Sequence, residues 1–252
     1  MSSSLTKPTR NSLVQKLTGT TWGASASCLR TTALALVYST TEYCAPVWTN
    51  SVHTSAIDTQ LNQTLRLITG CLKPTPTHWL PALSNIAPAH LRREKCLQRE
   101  LAKAHCSPEL PIHQDLEGFG RKRLKSRNPP ALLMGDSLTT RTLEEAWTAE
   151  WEALRDQANP FSALPLRVPP AGFEEPRRVW SALNRLRTGV GNCGHHWYKW
   201  GWSSSSACSC GHPDQTINHI ILECPLTKYT GDVDDFKILS DEAVAYLGRA
   251  KF

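Results

Sequence analysis

Residues 57–70 read IDTQLNQTLRLITG, and their spacing decides the fold class. Ile57, Leu61, Leu65 and Ile68 recur at intervals of four, four and three, which is one stripe of an α-helix and not the two-residue alternation of a strand. Gly70 stands just past the stripe, where a helix end favours a residue that tolerates positive φ. Upstream, about Ala24 to Tyr43 reads as a helix with Leu29, Ala33, Leu36 and Val37 on one face. Tyr43-Cys44-Ala45-Pro46-Val47-Trp48 then sets aromatics around a helix-breaking proline. Downstream, His78 to Leu83 reads as a short helix between prolines. A long helix starts near Pro88, a favoured first-turn residue, and runs to about His105 through Leu91, Leu97 and Leu101. Its other face carries Arg92, Arg93, Lys95, Arg99 and Lys103.

Beyond His105 the texture changes. Prolines at 108, 111, 129 and 130 and glycines at 118 and 120 flank the run Arg121-Lys122-Arg123-Leu124-Lys125-Ser126-Arg127. Such a run is a solvated loop, a contact for backbone phosphates, or a nuclear-targeting signal. Residues 141–157 give one amphipathic helix, with Leu143, Trp147, Trp151 and Leu154 inward. A second Pro-rich gap (Pro160, Pro165, Pro169, Pro170) reads as a boundary. Glu175 to Arg187 then forms a helix with Val179, Trp180, Leu183 and Leu186 inward and Gly189 closing it. The expected organisation is mainly α: a flexible segment over 1–23, a helical bundle over 24–106, a basic and Pro-rich irregular connector over 107–170, and a compact C-terminal module over 171–252.

The chain has 252 residues, 40% of them hydrophobic, which suits a packed core and excludes wholesale disorder. No apolar run approaches the roughly 20 residues that span a bilayer, and the N-terminus lacks the apolar stretch of a secretory signal. The expected location is intracellular, in nucleus, cytoplasm or both, with no membrane partner. The net charge of +6 is uneven. Residues 1–127 hold 16 Lys and Arg against 7 Asp and Glu, whereas residues 128–252 hold 12 against 15. A basic front half points to a polyanionic partner.

Nine cysteines divide into two sets. Cys28, Cys44, Cys71, Cys96 and Cys106 lie singly in helical, apolar surroundings and read as small core residues. Cys193, Cys208, Cys210 and Cys224 crowd into the last quarter with several histidines. Cys208, Cys210, His219 and Cys224 follow the pattern C-x-C, eight residues, H, four residues, C. Three thiolates and an imidazole make a recognised structural zinc set. Gly211 relieves the turn after Cys210, Asp214 to Asn218 offers caps for a short helix through Ile220-Ile221-Leu222, and Pro225 helps to end it. The expected cofactor is one structural Zn2+, with Cys193 and His212 as competitors for a ligand place. His195 and His196 sit among Trp197, Tyr198 and Trp200 and read as packing residues.

Four good ligands leave no open position for a catalytic water. The sequence has no Asp-rich metal pair, no Gly-rich phosphate loop and no nucleophile elbow, so no catalytic residue is expected.

The segments LALVYSTTEYCAPVW (34–48) and LNQTLRLITGCLKPTPTHWLPALSNIAPAHLRREK (61–95) resemble the region after the polymerase palm in non-LTR retrotransposon reverse transcriptases of the jockey-like kind. LNRLRTGVGNCGHHWYKWGWSSSSACSCGHPDQTINHIILECP (183–225) resembles the same proteins' C-terminal segment. The resemblance runs in order over about residues 10–245. It implies that residues 24–106 form a thumb-like helical bundle and that residues 171–252 form a zinc-knuckle-like tail. The family's polymerase carries a Tyr-any-Asp-Asp motif, whereas the one Asp-Asp pair here, Asp234-Asp235, lies beyond the cysteine cluster. The resemblance therefore implies a C-terminal fragment of an RNA-directed DNA polymerase, not catalytic alone.

The function expected from these readings is binding of RNA or DNA through its backbone. The candidate contacts are Arg92, Arg93, Arg99 and Lys103 on the third long helix, then Arg121, Lys122, Arg123, Lys125 and Arg127, and Arg185, Arg187 and Lys199 near the cluster. The parent element's polymerase, acting in trans, is a further candidate partner. The alternative is a zinc-stapled structural or protein-interaction module with no nucleic-acid role, or a chain left poorly folded without the palm its helices would pack against.

Overall fold

The computed structural model describes residues 14–19, 23–117, 120, 122–124, 128–130, 141–250 and 252. Among these the chain is mainly α, with one isolated β-bridge between Thr18 and Gly23. Of the expected cationic contacts, Arg121, Lys125 and Arg127 lie outside the described residues.

Helix α1 (Ala26–Ala33) is capped by the Ser25 hydroxyl, which accepts from the Cys28 N–H. It runs on into a π-helical stretch (Leu34–Tyr38) and a final α-turn (Ser39–Thr41). The widened winding changes the phase of the apolar stripe. Leu29, Ala33, Val37 and Tyr38 are buried, while Leu36, expected on the inner face, points outward at 38% exposure. After α2 (Ala45–Trp48), α3 (Thr54–Thr69) buries Leu61, Leu65 and Ile68 as the spacing requires and ends at Gly70 with φ +71°. Short α4 (Trp79–Ser84) is buried throughout, and α5 (Ala89–His105) begins just after Pro88. Helix α6 (Ile112–Glu117) follows, and α7 (Leu143–Leu154) starts on a full capping box between Thr142 and Glu145. Helix α7 inserts Trp147 and Trp151, the latter edge-on to Trp79 at 5.3 Å. These elements enclose a first core around Tyr38, Leu80, Leu83 and Trp151.

Helix α8 (Arg177–Thr188) is the hinge pin of the fold. Trp180, fully buried, packs into the first core edge-on to Phe173 at 5.4 Å. Val179, Ala182, Leu183 and Leu186 on the same helix enter a second core with Ile217, Ile221, Phe236 and Leu247. The last carbonyls of α3 have no partners within their own helix, and α8 supplies them. Arg177 donates to Ile68 O at 2.7 Å and to Leu67 O, Trp180 Nε1 to Ile68 O at 2.9 Å, and Asn184 Nδ2 to Thr69 O at 2.8 Å. A guanidinium at a helix C-terminus also meets the negative end of the macrodipole. Gly70 allows this approach: a Cβ there would stand 2.1 Å from Ser181 Oγ and 2.7 Å from its Cβ. The C-terminal part continues with α9 (Gly194–Lys199), a π-turn (His219–Glu223), α10 (Asp235–Ile238) and α11 (Asp241–Arg249), which packs on α8.

The scattered cysteines depart from the expected core role. Cys71 alone of the five is buried; Cys28, Cys44 and Cys106 are exposed and Cys96 is half-buried. Cys44 sits at a left-handed turn (φ +53°) between α1 and α2, which turns its side chain outward. Among the described residues no helix is long and apolar enough to cross a membrane.

Candidate metal centre

The chain from Ala207 to Cys224 folds three cysteines and one histidine into a single cluster. At its first corner the Cys208 N–H donates to His212 O at 2.8 Å and Cys208 O accepts from the Gly211 N–H at 2.9 Å. This closed turn puts Cys208 and Cys210 on one side, and it requires φ +93° at Gly211, a backbone region in which a side chain is strained. The second corner is the π-turn. Its start is capped by Thr216 Oγ1, which accepts from the His219 N–H at 3.0 Å, one of the polar residues expected to do so. Its end is the Cys224 N–H bond to His219 O at 2.8 Å, spanning five residues. In an α-helix positions five apart diverge around the axis, whereas one π-turn returns the sixth residue close to the first. The winding thus aligns His219 with Cys224 and explains why four residues separate them. Cys224, preceding Pro225, adopts the extended conformation that a following proline favours (ψ 119°).

All four ligand atoms lie within 4.8 Å of one another. Cys208 Sγ is 3.8 Å from Cys224 Sγ, and Cys210 Sγ is 3.3 Å from His219 Nε2. A tetrahedral ion with metal–sulfur bonds of about 2.3 Å has sulfur–sulfur edges of about 3.8 Å. The spacing therefore fits one metal ion. Cys208, His219 and Cys224 are buried. The Cys210 main chain and the Gln215 amide lower the Cys208 thiol to about 6 and the Thr227 hydroxyl lowers Cys224, which favours two of the thiolates a metal needs, whereas desolvation and the neighbouring sulfurs raise Cys210.

His219 points Nε2 into the cluster and its other ring nitrogen, Nδ1, at Glu223 Oε2, 3.3 Å away. A carboxylate behind a ligating imidazole fixes its tautomer and orientation. Gln215 is the second supporting residue. Its side chain donates to Cys208 Sγ at 3.5 Å and accepts from the Gly194 N–H at 2.8 Å, and its main chain pairs with Ser206 and His195. Sequence spacing revealed neither role. Glu223 carried a signal in retrospect, since it stands four residues after His219, one turn away.

The two competitors are placed elsewhere. Cys193 is buried in the second core with its sulfur 3.1 Å from His196 Nδ1, outside the ligand group. His212 stacks on His219 with ring centroids 4.1 Å apart and bonds the Asp214 main chain. It forms a second grouping with His219 and Glu223, more exposed than the first, that shares the same imidazole.

The cationic residues expected to meet phosphate are corrected in four places. Arg93 is 3% exposed and its guanidinium binds both oxygens of Asp58. Arg92 grips Glu42 through two bonds of 2.6 Å. Arg187 is buried on Ala171 O and Asn184 Oδ1, lowered to about 9 by burial, and Arg185 donates to the Phe252 main-chain oxygen at 2.7 Å. Each is committed to an internal acceptor, because α5 and α8 turn those positions inward. Arg99 and Lys103 remain exposed, both touching Glu100, and Lys122, Arg123 and Lys199 are exposed. Comparison of the chain with protein-family models, curated proteins and solved structures finds no match.

Proposed function

We propose that this chain is a nucleic-acid-binding module whose C-terminal part is stapled by one structural Zn2+, and that it corresponds to the thumb and tail of a non-LTR retrotransposon RNA-directed DNA polymerase without its catalytic parts. Three thiolates and an imidazole in a tetrahedral arrangement suit zinc above the hard cations, and with all four places filled by protein no water is left to activate. Glu223→Gln should weaken zinc affinity about tenfold or more, read by competitive chelator titration, because the imidazole loses its orienting carboxylate. Unchanged affinity would remove Glu223 from the centre.

The observation that carries the binding reading is the cationic face of α5. Lys95, Arg99 and Lys103 are all exposed and recur every fourth residue, about 6 Å apart along the axis. Lys95 and Arg99 flank a groove of about 670 Å3 bordered also by Ser39, Glu42, Tyr43 and Leu143, with Lys103 one turn further along the helix. The contacts of Arg99 and Lys103 with Glu100 are surface pairs, which are weak and readily exchanged for a phosphate. Binding of a duplex, measured by filter retention, should fall as salt rises, with a log–log slope of about −0.9 for each phosphate neutralised. Reversing the three charges to Glu should abolish most of it and flatten the slope. No binding at low salt would overturn the reading.

One observation favours a protein-interaction module instead. Tyr43, Val47 and Val52 are 77%, 76% and 72% exposed at one end of the first core. Large apolar side chains left out together mark contact surfaces. Under this alternative the α5 reversal leaves the interaction intact.

A further inference from the structure

Helix α9 and the loop after it hold an uncommon set of rings in water. Trp197 is 40% exposed, Tyr198 56% and Trp202 75%. The loop is folded back, not loose: the Trp202 and Ser203 N–H groups both donate to Trp197 O, at 2.8 and 3.3 Å, across Gly201 with φ +73°. Behind the exposed rings runs a ladder of ring contacts: His195 to His196 at 5.1 Å, His196 to Trp200 at 5.4 Å and Trp200 to Trp202 at 5.2 Å. The ladder is tied to the metal centre at its base. His195 Nδ1 meets Asp214 Oδ2 at 2.8 Å, and Gly194 bonds the same Gln215 side chain that reaches Cys208 Sγ. The Trp202 ring, and the helix that carries Trp197 and Tyr198, are thus held by a frame that the metal would lock.

The stretch of chain that carries them holds formal charge of one sign up to Asp214. No Asp or Glu occurs between Glu175 and Asp214, and Asp214 is engaged by His195. Lys199 is exposed on the same helix as Tyr198. Beside the platform lies a groove of about 570 Å3 with Trp197 and Ile220 among its lining and Tyr246 and Arg249 also bordering it. Exposed aromatics with Lys199 among them, and one carboxylate that is already paired with His195, match one partner chemistry: unpaired bases, which stack on rings, joined by phosphates, which seek cations. A duplex buries its base faces and has no use for such rings. A protein partner would explain the rings but not the scarcity of carboxylates along residues 176–213.

We propose that the α9 platform binds single-stranded nucleic acid by stacking bases on Trp202 and Tyr198, with Lys199 and Arg249 against the backbone. The inference rests on the nucleic-acid reading above and assigns it a second surface, distinct from the α5 face and selective for unpaired strands.

The test is fluorescence anisotropy of the zinc-loaded chain with three short labelled oligonucleotides: single-stranded RNA, single-stranded DNA of the same sequence, and their duplex. Trp202→Ala and Tyr198→Ala should each weaken single-strand binding about tenfold, the size of one lost stack, and leave duplex binding unchanged. Trp202→Phe, which keeps a ring, should retain most of the affinity. Metal content and thermal midpoint, measured on each variant, should match the parent, since these side chains are exposed. The two single-stranded arms show whether the ribose hydroxyl contributes. A parent chain that binds nucleic acid while both alanine variants bind single strands as it does would overturn the platform and leave the broader function standing. Stacking on Trp202 is likewise overturned if Trp202→Phe is as weak as Trp202→Ala. A parent chain that binds none of the three oligonucleotides overturns the broader reading, and the platform with it.

Discussion

Removing the metal should unfold residues 191–229 while the helices around Trp79 and Tyr38 stay packed. The reason lies in what holds each part. The first core is closed by long helices whose backbones bond internally and whose stripes bury Leu61, Leu65, Ile68, Leu80 and Leu83. The stretch from Asn192 to Thr227 has only α9 and one π-turn, and the rest of its backbone is tied by scattered turn bonds such as Cys208 to His212 and Gln215 to Ser206. So little regular structure cannot by itself offset the ordering entropy of some thirty residues, at about 1–2 kcal/mol each for the backbone. A structural zinc supplies about 10–16 kcal/mol in small finger modules. Metal analysis should give about one zinc per chain. Chelation, or Cys210→Ser, should abolish hydrogen-exchange protection from Ser206 to Tyr229 and leave α3, α4 and α5 protected. A chain that purifies folded through this stretch without metal would overturn the staple.

The helices were the legible part of this fold, for a physical reason. Ile57 to Gly70 and the stretch ending at Gly189 each place apolar residues at helical spacing with a stop glycine where the chain must turn, Pro88 opens the third, and all three helices form, although Arg93 turns inward in the last. The cluster that could hold a metal was legible because thiolate and imidazole at short spacing have few other uses. What periodicity missed was winding. The π-stretch over Leu34–Tyr38 sends Leu36 outward, and the π-turn over His219–Glu223 aligns two ligands that an α-helix would separate. A π-turn leaves no mark in composition. Arginines misled for a different reason. A charge count treats every guanidinium as a surface group, yet Arg93, Arg177 and Arg187 lie inside, where carboxylate or main-chain oxygens hold them. In α8 the positions that cap the end of α3 are side chains 109 to 115 residues away in sequence, and no local pattern announces them.

Those contacts make Trp180→Ala the substitution expected to cost most outside the metal centre. The ring is fully buried, edge-on to Phe173, with the Arg187 guanidinium 5.7 Å from its centroid. Truncating a buried Trp to Ala costs about 3–5 kcal/mol through lost burial and the cavity left. The lost Nε1 bond adds less than it first suggests, because Ile68 O keeps the Arg177 guanidinium at 2.7 Å and is not orphaned. The thermal midpoint should therefore fall by about 10 °C or more for a chain of this size. The shape of the transition is the sharper readout. Helix α8 contributes Trp180 to one core and Leu183 and Leu186 to the other, so the zinc-loaded parent should melt as one unit. With the ring gone, the end of α3 and the metal-bearing part lose their common wall, and the melt should separate into a zinc-sensitive and a zinc-insensitive step. Trp180→Phe keeps most of the wall and should melt lower but still in one step. If Trp180→Ala instead melts in a single step near the parent midpoint, the two cores are not joined through the Trp180 ring. The coupling would then have to come from the Arg177 and Asn184 caps alone.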